Sequence, residues 1–182
     1  MTSTTFTIPS LETDRLILRA PSVNDLDAEA EFHSTDRAEF VGGKMPREQV
    51  FKMLATFLGH WAIRGFGFWG VDEKFSGRYV GHVGLWYPQG WPEREIGWSV
   101  MGWAEGKGFA FEAAKAAREY AYGTLNWTTA ISLIATQNIR SQALAKRLGA
   151  TQDGGFKHER LGDSLIFRHP SPEMLASQQG DA

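Results

Sequence analysis

The residues best suited to chemistry form a short turn, Gly106-Lys107-Gly108-Phe109-Ala110. It follows an extended apolar run, 96–101, and opens an alanine-rich helical stretch, 109–122. Glycines let the backbone turn sharply and bring N–H groups close to a ligand without Cβ interference. The helix that follows leaves its first N–H groups unpaired at the positive end of its dipole. This combination predicts an anion site, typically for phosphate, although a Gly-x-Gly turn also serves simply to start a helix.

Two common phosphate motifs do not fit this turn. A P-loop requires Gly-x-x-x-x-Gly-Lys-Ser/Thr; Met101 holds the first glycine position, and Gly108 follows Lys107. A dinucleotide fingerprint or a kinase glycine loop needs a third glycine, and Phe111 stands at that position. Both nucleotide interpretations are therefore excluded.

The turn resembles the acyl-CoA turn of the GNAT N-acetyltransferases, whose pattern is Gln/Arg-x-x-Gly-x-Gly/Ala between a central strand and a long helix. Other segments extend the resemblance in the same order, roughly from Leu11 to Phe167. In particular, the chain is similar to the RimJ/RimL-like branch, which acetylates amino groups including protein N-termini. The segments that carry the resemblance are residues 12–19 (ETDRLILR), 81–85 (GHVGL), 95–98 (EIGW), 112–114 (EAA), 138–141 (NIRS) and 146–150 (KRLGA).

The resemblance implies an acetyl-CoA-dependent N-acetyltransferase that moves an acetyl group to a primary amine by direct attack in a ternary complex. Acetyl-CoA would be the co-substrate, and no metal is expected. The acceptor would be a protein N-terminal amine or a small-molecule amine. A catalytically silent acyl-CoA-binding regulatory module is the alternative, and a binder of another phosphate compound is a more distant one. The chain could act as a monomer or a homodimer.

The resemblance also implies a cofactor site in a gap between strands. Pantetheine would fill the space between residues 98–101 and 130–136, where the central strands splay apart. An N–H group near Val100 would polarise the acetyl carbonyl, and backbone N–H groups of the turn would hold the pyrophosphate. The implied cofactor-binding residues are Val100, Gly106, Lys107, Gly108, Phe109, Ala110, Asn138 and Ser141.

Two side chains are candidates for catalysis on the same grounds. Glu95 opens the central strand on the acceptor side and is the candidate base, which need only be modest because an α-amino group has a pKa near 8. It could instead be a strand-end carboxylate paired with Arg94 or Arg19. Ser141 could protonate the leaving thiolate, or it could satisfy a backbone N–H at a helix start.

The chain departs from the superfamily pattern at three positions. Trp103 stands where Gln or Arg is usual, and Ala145 stands where many GNAT enzymes place a tyrosine acid. Glu105 puts a carboxylate beside the expected diphosphate site, which should weaken binding unless it points to solvent or pairs with Lys107. We therefore expect Glu105→Gln to leave CoA affinity unchanged or to raise it.

Composition narrows the class of protein further. The 182 residues carry a net charge of −2, which argues against a dedicated nucleic-acid surface. Without cysteine there is no disulfide framework, thiolate nucleophile or cysteine zinc site. Neither a signal peptide nor a run of about 18 apolar residues is found, so we expect a cytoplasmic protein that makes no membrane contact. The histidines indicate no metal site, and His82 is expected to be structural.

The strands and helices predicted along the chain, which must position these residues, indicate one mixed α/β (α+β) domain. The expected fold is a mostly antiparallel sheet of six to seven strands, flanked by about four helices, with splayed central strands. The single domain spans residues 1–182, with a core at 10–169 and a flexible tail at 170–182. Strands are predicted at 13–19, 65–72, 78–86, 94–101, 130–136, 151–156 and 163–168, and helices from Pro21, at 46–64, 109–122 and 140–148.

Overall fold

The computed structural model describes residues 5–158 and 162–180. The described chain contains eight strands and five α-helices, slightly more than the sequence predicts. The strands are β1 (Leu11–Glu12), β2 (Leu16–Arg19), β3 (Phe68–Glu73), β4 (Tyr79–Trp86), β5 (Glu95–Val100), β6 (Ile131–Ala135), β7 (Thr151–His158) and β8 (Gly162–Arg168). The helices are α1 (Leu26–His33), α2 (Arg47–Arg64), α3 (Phe109–Gly123), α4 (Ile139–Arg147) and α5 (Pro172–Gly180).

All eight strands form one sheet in the order β1-β2-β3-β4-β5-β6-β8-β7. Every neighbouring pair is antiparallel except β5 and β6, which are parallel. A parallel connection needs a crossover, and α3 provides it. The expected mixed α/β fold with a mostly antiparallel sheet is confirmed.

The two faces of the sheet are covered by different helices. Alternate residues of a strand point to opposite faces, so Val83 and Leu85 of β4 pack in the core that includes alanines of α3. His82 and Trp86 face the other side, where both rings contact Phe57 of α2. The face covered by α2 carries the titratable side chains Glu95 and His82.

The two central strands separate almost as soon as they meet. β5 and β6 are paired only at Glu95 and Ile131, whereas β4 and β5 are paired over the full length of β5. The Ile131 N–H donates to the Arg94 carbonyl at 3.0 Å. We call the open space beyond this pair the β5–β6 gap. Its position is the one expected from the sequence.

The segment expected to be a flexible tail contains α5 within its described part. The chain is fixed just before this helix, because Tyr122 Oη donates to the Pro170 carbonyl at 3.0 Å and Pro170 is buried. Ser171 then supports the first turn by accepting from the Met174 N–H at 3.3 Å. Across the described residues, no helix is long and apolar enough to cross a membrane.

Candidate active site

A cavity of about 870 Å³ opens between the turn after β5 and the start of α4. It reaches into the β5–β6 gap, because Trp98, Ser99 and Val100 form part of its wall. Seven of the eight cofactor-binding residues implied by the sequence line it, and Lys107 is the exception. The seven are Val100, Gly106, Gly108, Phe109, Ala110, Asn138 and Ser141.

The glycine turn has the backbone conformation that its sequence predicts. Gly106 and Gly108 have φ angles of 73° and 81°, in the left-handed region that favours glycine. Gly108 is the N-cap of α3, and no side chain caps that end. The first N–H groups of α3 therefore face the cavity without an intrahelical partner, as an anion site requires.

Arg15 supports the turn from the side of β2. Its Nη1 donates to the Lys107 carbonyl at 2.9 Å, and its Nε donates to Glu112 Oε2 at 2.7 Å. Thr13 also donates to Glu112, at 2.5 Å. Burial alone would raise the pKa of Glu112, but these hydrogen bonds and the Arg15 charge lower it overall. An ionised Glu112 thus fixes the arginine that holds the turn.

The Lys107 side chain does not face the cavity. Its ammonium lies 4.6 Å from the centroid of the Trp103 ring, and the Arg78 guanidinium lies 4.1 Å from the same centroid. Trp103 Nε1 donates to the Tyr79 carbonyl at 3.1 Å, which fixes the indole. The binding role implied for Lys107 uses only its backbone N–H, so the cation–π contact that holds its side chain elsewhere leaves that prediction unchanged.

The start of α4 brings Asn138 and Ser141 to the gap. Asn138 is the N-cap, and its Oδ1 accepts from the Ser141 N–H at 3.2 Å. The capping role considered for Ser141 therefore belongs to Asn138. Ser141 Oγ instead accepts from Trp98 Nε1 at 3.2 Å, which joins β5 to α4 across the β5–β6 gap.

The Val100 N–H faces the gap. The next residue, Met101, donates its N–H to the Val80 carbonyl on the β4 side at 2.8 Å. Successive residues of a strand direct their N–H groups to opposite edges, so the Val100 N–H points toward β6. Because β6 pairs with β5 only at Glu95, no described strand covers this N–H.

Glu105 is held between two arginines at the wall of the larger cavity. Its carboxylate forms an ion pair with Arg37, and Arg140 Nη1 donates to both of its oxygens at 3.0 and 3.2 Å. The sequence left two arrangements in which Glu105 would not weaken phosphate binding, exposure to solvent and a pair with Lys107. The pair with Lys107 is not formed, because that ammonium lies on the Trp103 ring. Since Arg37 and Arg140 come from distant segments, their approach could not be read from local spacing.

A smaller cavity of about 230 Å³ adjoins the larger one on the α2 face. The two share Phe40, Val41, Trp98, Asn138 and Ser141 as lining residues. The wall is largely aromatic and carries two titratable side chains, Glu95 and His82. Its aromatic residues are Phe40, Phe57, Phe68, Trp86, Trp91 and Trp98. Among the described residues, no group of acidic side chains and histidines could hold a metal ion.

Glu95 lies where the β5–β6 pairing ends. Its Oε1 accepts from the Leu133 N–H at 3.1 Å, and its Oε2 accepts from Trp91 Nε1 at 2.5 Å. Burial raises its pKa to about 7, and these two hydrogen bonds only partly oppose the rise. The carboxylate thus replaces a backbone acceptor for β6 and terminates the pairing between the two strands.

Neither arginine considered as a partner for Glu95 pairs with it. Arg19 donates to Asp25 and Asp72 instead, at 2.6–2.8 Å. Arg94 lies over the Trp127 ring, 5.1 Å from its centroid. The alternative of a strand-end ion pair with either arginine is therefore wrong, and among the described residues burial is the dominant influence on the pKa of this carboxyl.

His82 was expected to be structural, but it lines the smaller cavity. Its Nδ1 lies 2.8 Å from Oε1 of Glu29, a residue of α1 that is fully buried. The two residues are far apart in the chain, so no local motif links them. The sequence held no signal for this pair, because Glu29 is one of several acidic residues in 25–31 and its burial is seen only in the structure.

Comparison with known proteins agrees with this geometry. A family model described as an acetyltransferase (GNAT) domain matches residues 15–151. The chain therefore belongs to the GNAT acetyltransferase family and is an N-acetyltransferase. Members of this family use acetyl-CoA as co-substrate and act on amine acceptors.

Individual relatives place the chain within that family. The N-acetyltransferase YoaA of Bacillus subtilis is 29% identical over 152 residues, which cover 80% of this chain and 85% of that protein. An acetyltransferase from Agrobacterium tumefaciens is 33% identical with a TM-score of 0.82, over 93% of this chain and 98% of the other. A ribosomal-protein-S5-alanine acetyltransferase from Vibrio fischeri shares the fold, with a TM-score of 0.70 at 15% identity, over 92% of this chain and 99% of the other.

Proposed function

We propose that this protein transfers the acetyl group of acetyl-CoA to a primary amine by direct attack in a ternary complex. The observation that carries the proposal is the union of two cavities at the β5–β6 gap. One is lined by the glycine turn and the start of α3, and the other has an aromatic wall with titratable groups. Such an arrangement lets a phosphate-bearing thioester and an amine meet from opposite sides of one strand. Family membership supports this enzyme over the catalytically silent module.

The larger cavity fits an acyl-CoA. Diphosphate oxygens would accept hydrogen bonds from the first N–H groups of α3, where the helix dipole also favours negative charge. Pantetheine would lie along β5 in the gap, with Val100 offering its N–H to an amide or acyl oxygen. Asn138 and Ser141 would contact the chain near the sulfur. Positioning of this kind supplies much of the rate enhancement, because the thioester is already activated.

The reaction needs one proton acceptor and one proton donor. Glu95 is a candidate acceptor because its pKa of about 7 leaves it substantially ionised at neutral pH and still basic. Ser141 is the candidate donor to the departing sulfur, since its hydroxyl lies at the junction of the two cavities. Ala145 is fully buried in the small core cluster with Ile134 and Phe167, and it offers no acid.

The acceptor would be an amine that enters the smaller cavity. We propose a protein or peptide N-terminus, in keeping with the RimJ/RimL-like branch, with a small-molecule amine as the competing acceptor. An aromatic wall favours an organic cation, and a cavity of about 230 Å³ admits one small residue rather than a long polyamine. Glu39 and Asp163 line an adjoining cavity of about 330 Å³ and would favour an incoming ammonium group.

Turnover with a panel of amines tests the proposal. Release of free CoA from acetyl-CoA would be followed with short peptides bearing free N-termini, spermidine, an aminoglycoside and an aromatic amine. We expect acetylation of the peptide α-amine, identified by a mass increase confined to the N-terminal residue. Binding of acetyl-CoA without acetylation of any panel member would overturn the proposed transfer and favour the silent binding module.

Glu105 offers a test of the proposed phosphate site. We expect Glu105→Gln to leave acetyl-CoA affinity unchanged or to raise it up to about fivefold, since pairs of partly exposed charges contribute about 1 kcal/mol. The substitution removes a negative charge and leaves Arg37 and Arg140 free to approach phosphate oxygens. Calorimetric titration measures the effect, with Glu119→Gln as the matched loss of an exposed carboxylate on α3. A clear loss of affinity confined to Glu105→Gln contradicts the prediction.

A further inference from the structure

A buried pair of side chains joins α1 to the floor of the smaller cavity. His82 Nδ1 and Glu29 Oε1 are 2.8 Å apart, and Glu29 is 0% exposed. Burial alone would raise the pKa of Glu29, but the nearby His82 and the hydrogen bonds from His82 and Tyr79 lower it overall. Glu29 is thus an ionised acceptor, and a carboxylate accepts hydrogen bonds only. The shared proton therefore resides on Nδ1 of His82.

This contact fixes which nitrogen of His82 can act as a base. In a neutral imidazole one nitrogen carries the proton and the other carries a lone pair. With Nδ1–H donating to Glu29, the lone pair lies on Nε2. Within the described part of the chain, Nε2 has no hydrogen-bond partner, and the ring lines the smaller cavity. A base oriented by a buried carboxylate is the arrangement that enzymes use to activate nucleophiles.

His82 also lies at the end of the smaller cavity nearest the proposed thioester. It is paired across the sheet with Ser99, on the same face. Ser99 lines the larger cavity and His82 lines the smaller one, so this pair straddles their junction. Glu95 is four residues from Ser99 along β5, or roughly 13 Å at the usual rise of a strand. Both Glu95 oxygens already accept hydrogen bonds, whereas Nε2 of His82 is unengaged.

We propose that His82 is the catalytic residue that takes the proton from the acceptor amine, and that Glu29 is its positioning residue. The inference rests on the proposed acetyl transfer and names the group that makes the amine nucleophilic. Glu95 then acts chiefly by ending the β5–β6 pairing and by facing the bound ammonium group.

The step balances without any further reactant. An ammonium group entering the cavity passes one proton to Nε2, and its freed lone pair attacks the acetyl carbon. The C–N bond forms, and the tetrahedral intermediate collapses with cleavage of the C–S bond. The second amine proton ends on the CoA sulfur through Ser141. The imidazolium left on His82 is stabilised by Glu29 until it releases its proton to water.

Several other titratable groups face this pair. Tyr79 Oη donates to the same Glu29 oxygen at 2.6 Å, and burial together with Glu29 raises the pKa of Tyr79 well above its ordinary value. His33 Nε2 lies 3.9 Å from the other Glu29 oxygen. Arg19 and Asp25 lie behind Tyr79, and Glu95 faces the same cavity. Tyr79 stays a neutral donor, so the carboxylate of Glu29 remains the charge nearest His82.

The test compares His82→Gln and Glu29→Gln with the wild type in acetylation of a short peptide bearing a free N-terminal alanine. We expect His82→Gln to lower kcat by about 100-fold with acetyl-CoA affinity unchanged, as loss of a general base does. Glu29→Gln should keep part of the activity and lower kcat with the KM for the peptide unchanged, because a neutral amide holds the Nδ1–H of His82 less firmly than a carboxylate does. Tyr79→Phe, which removes the other donor to Glu29, should cause a smaller loss.

The outcomes separate this inference from the proposed function. An inactive wild type that still binds acetyl-CoA counts against acetyl transfer to this acceptor. An active wild type whose rate and pH profile survive His82→Gln overturns the role of His82 alone. Nitrogen NMR of the wild type tests the proposal without depending on whether a variant folds. A proton on Nδ1 of His82 and an unprotonated Nε2 at pH 8 support the proposal, and the reverse tautomer overturns it.

Discussion

Gly108→Asp is expected to abolish acetyl-CoA binding, with a loss of affinity of at least about 100-fold. A carboxylate at the N-cap of α3 would compete for the helix N–H groups that are proposed to hold the diphosphate. It would also place a like charge within a few ångströms of the phosphates. Two interactions of about 1.5–3 kcal/mol each, typical for hydrogen bonds to charged groups, account for such a loss. Calorimetric titration of purified protein with acetyl-CoA measures it.

The control must separate charge from backbone strain. Gly108 has a φ of 81°, a conformation that costs a non-glycine residue about 1–2 kcal/mol. Gly77 has a φ of 67° in the exposed turn between β3 and β4, and a Cβ there would meet nothing within 4 Å. Gly77→Asp therefore carries similar strain far from the cavity. If both variants keep wild-type affinity, the turn is not the phosphate site.

Glu95→Gln is expected to change how stability depends on pH. The pKa of Glu95 rises from 4.5 to about 7 on folding, chiefly because the carboxyl is buried. Between these values the folded state holds a proton that the unfolded chain has lost, so the wild type loses stability as pH rises through this window. The full shift corresponds to about 3 kcal/mol. Glutamine does not ionise, so the variant lacks this loss.

The measurable quantity is the difference in unfolding free energy between variant and wild type. We expect this difference to move in favour of Glu95→Gln by up to about 3 kcal/mol between pH 4 and pH 8, in denaturant titrations at each pH. Glutamine keeps one acceptor oxygen, so one of the two hydrogen bonds from Leu133 and Trp91 is lost, which adds a constant offset and leaves the slope unaffected. Glu119→Gln, at an exposed position on α3, should show no comparable slope. A difference that stays flat with pH would mean that Glu95 is not held protonated by the fold.

Local sequence patterns were sufficient for the parts of the site that lie on one element. Gly106 and Gly108 adopt positive φ angles where the turn was predicted, and α3 begins at the predicted residue, Phe109. The predicted strand and helix boundaries agree with the observed ones within a few residues, because apolar spacing and helix caps depend on neighbouring residues in the chain. Glu95 lies at the start of β5, as the strand prediction placed it. Its position on the acceptor side was implied by the family resemblance and stays a prediction.

Contacts between distant segments could not be predicted in this way. Glu105 was assigned no arginine partner, although Arg37 and Arg140 both reach it. His82 was expected to be structural, and local spacing gave no sign of its carboxylate partner, which lies on α1, 53 positions away in the chain. Lys107 was considered as one partner for Glu105, whereas its ammonium lies on the Trp103 ring. Each of these outcomes depends on tertiary packing, which single-chain spacing does not encode.

The single residue pair between β5 and β6 also affects how firmly the two parts of the sheet are held together. It divides the sheet into a five-stranded and a three-stranded part that share one paired residue position within the described chain, beside side-chain contacts and the packing of α3 and α4. A ligand bound in the β5–β6 gap would contact both parts of the sheet and hold them together. Because such a ligand binds the folded domain and not the unfolded chain, its binding would raise the free energy of unfolding of the whole domain. Slowed amide exchange in β5 and β6 would then report occupancy before any acceptor amine is known.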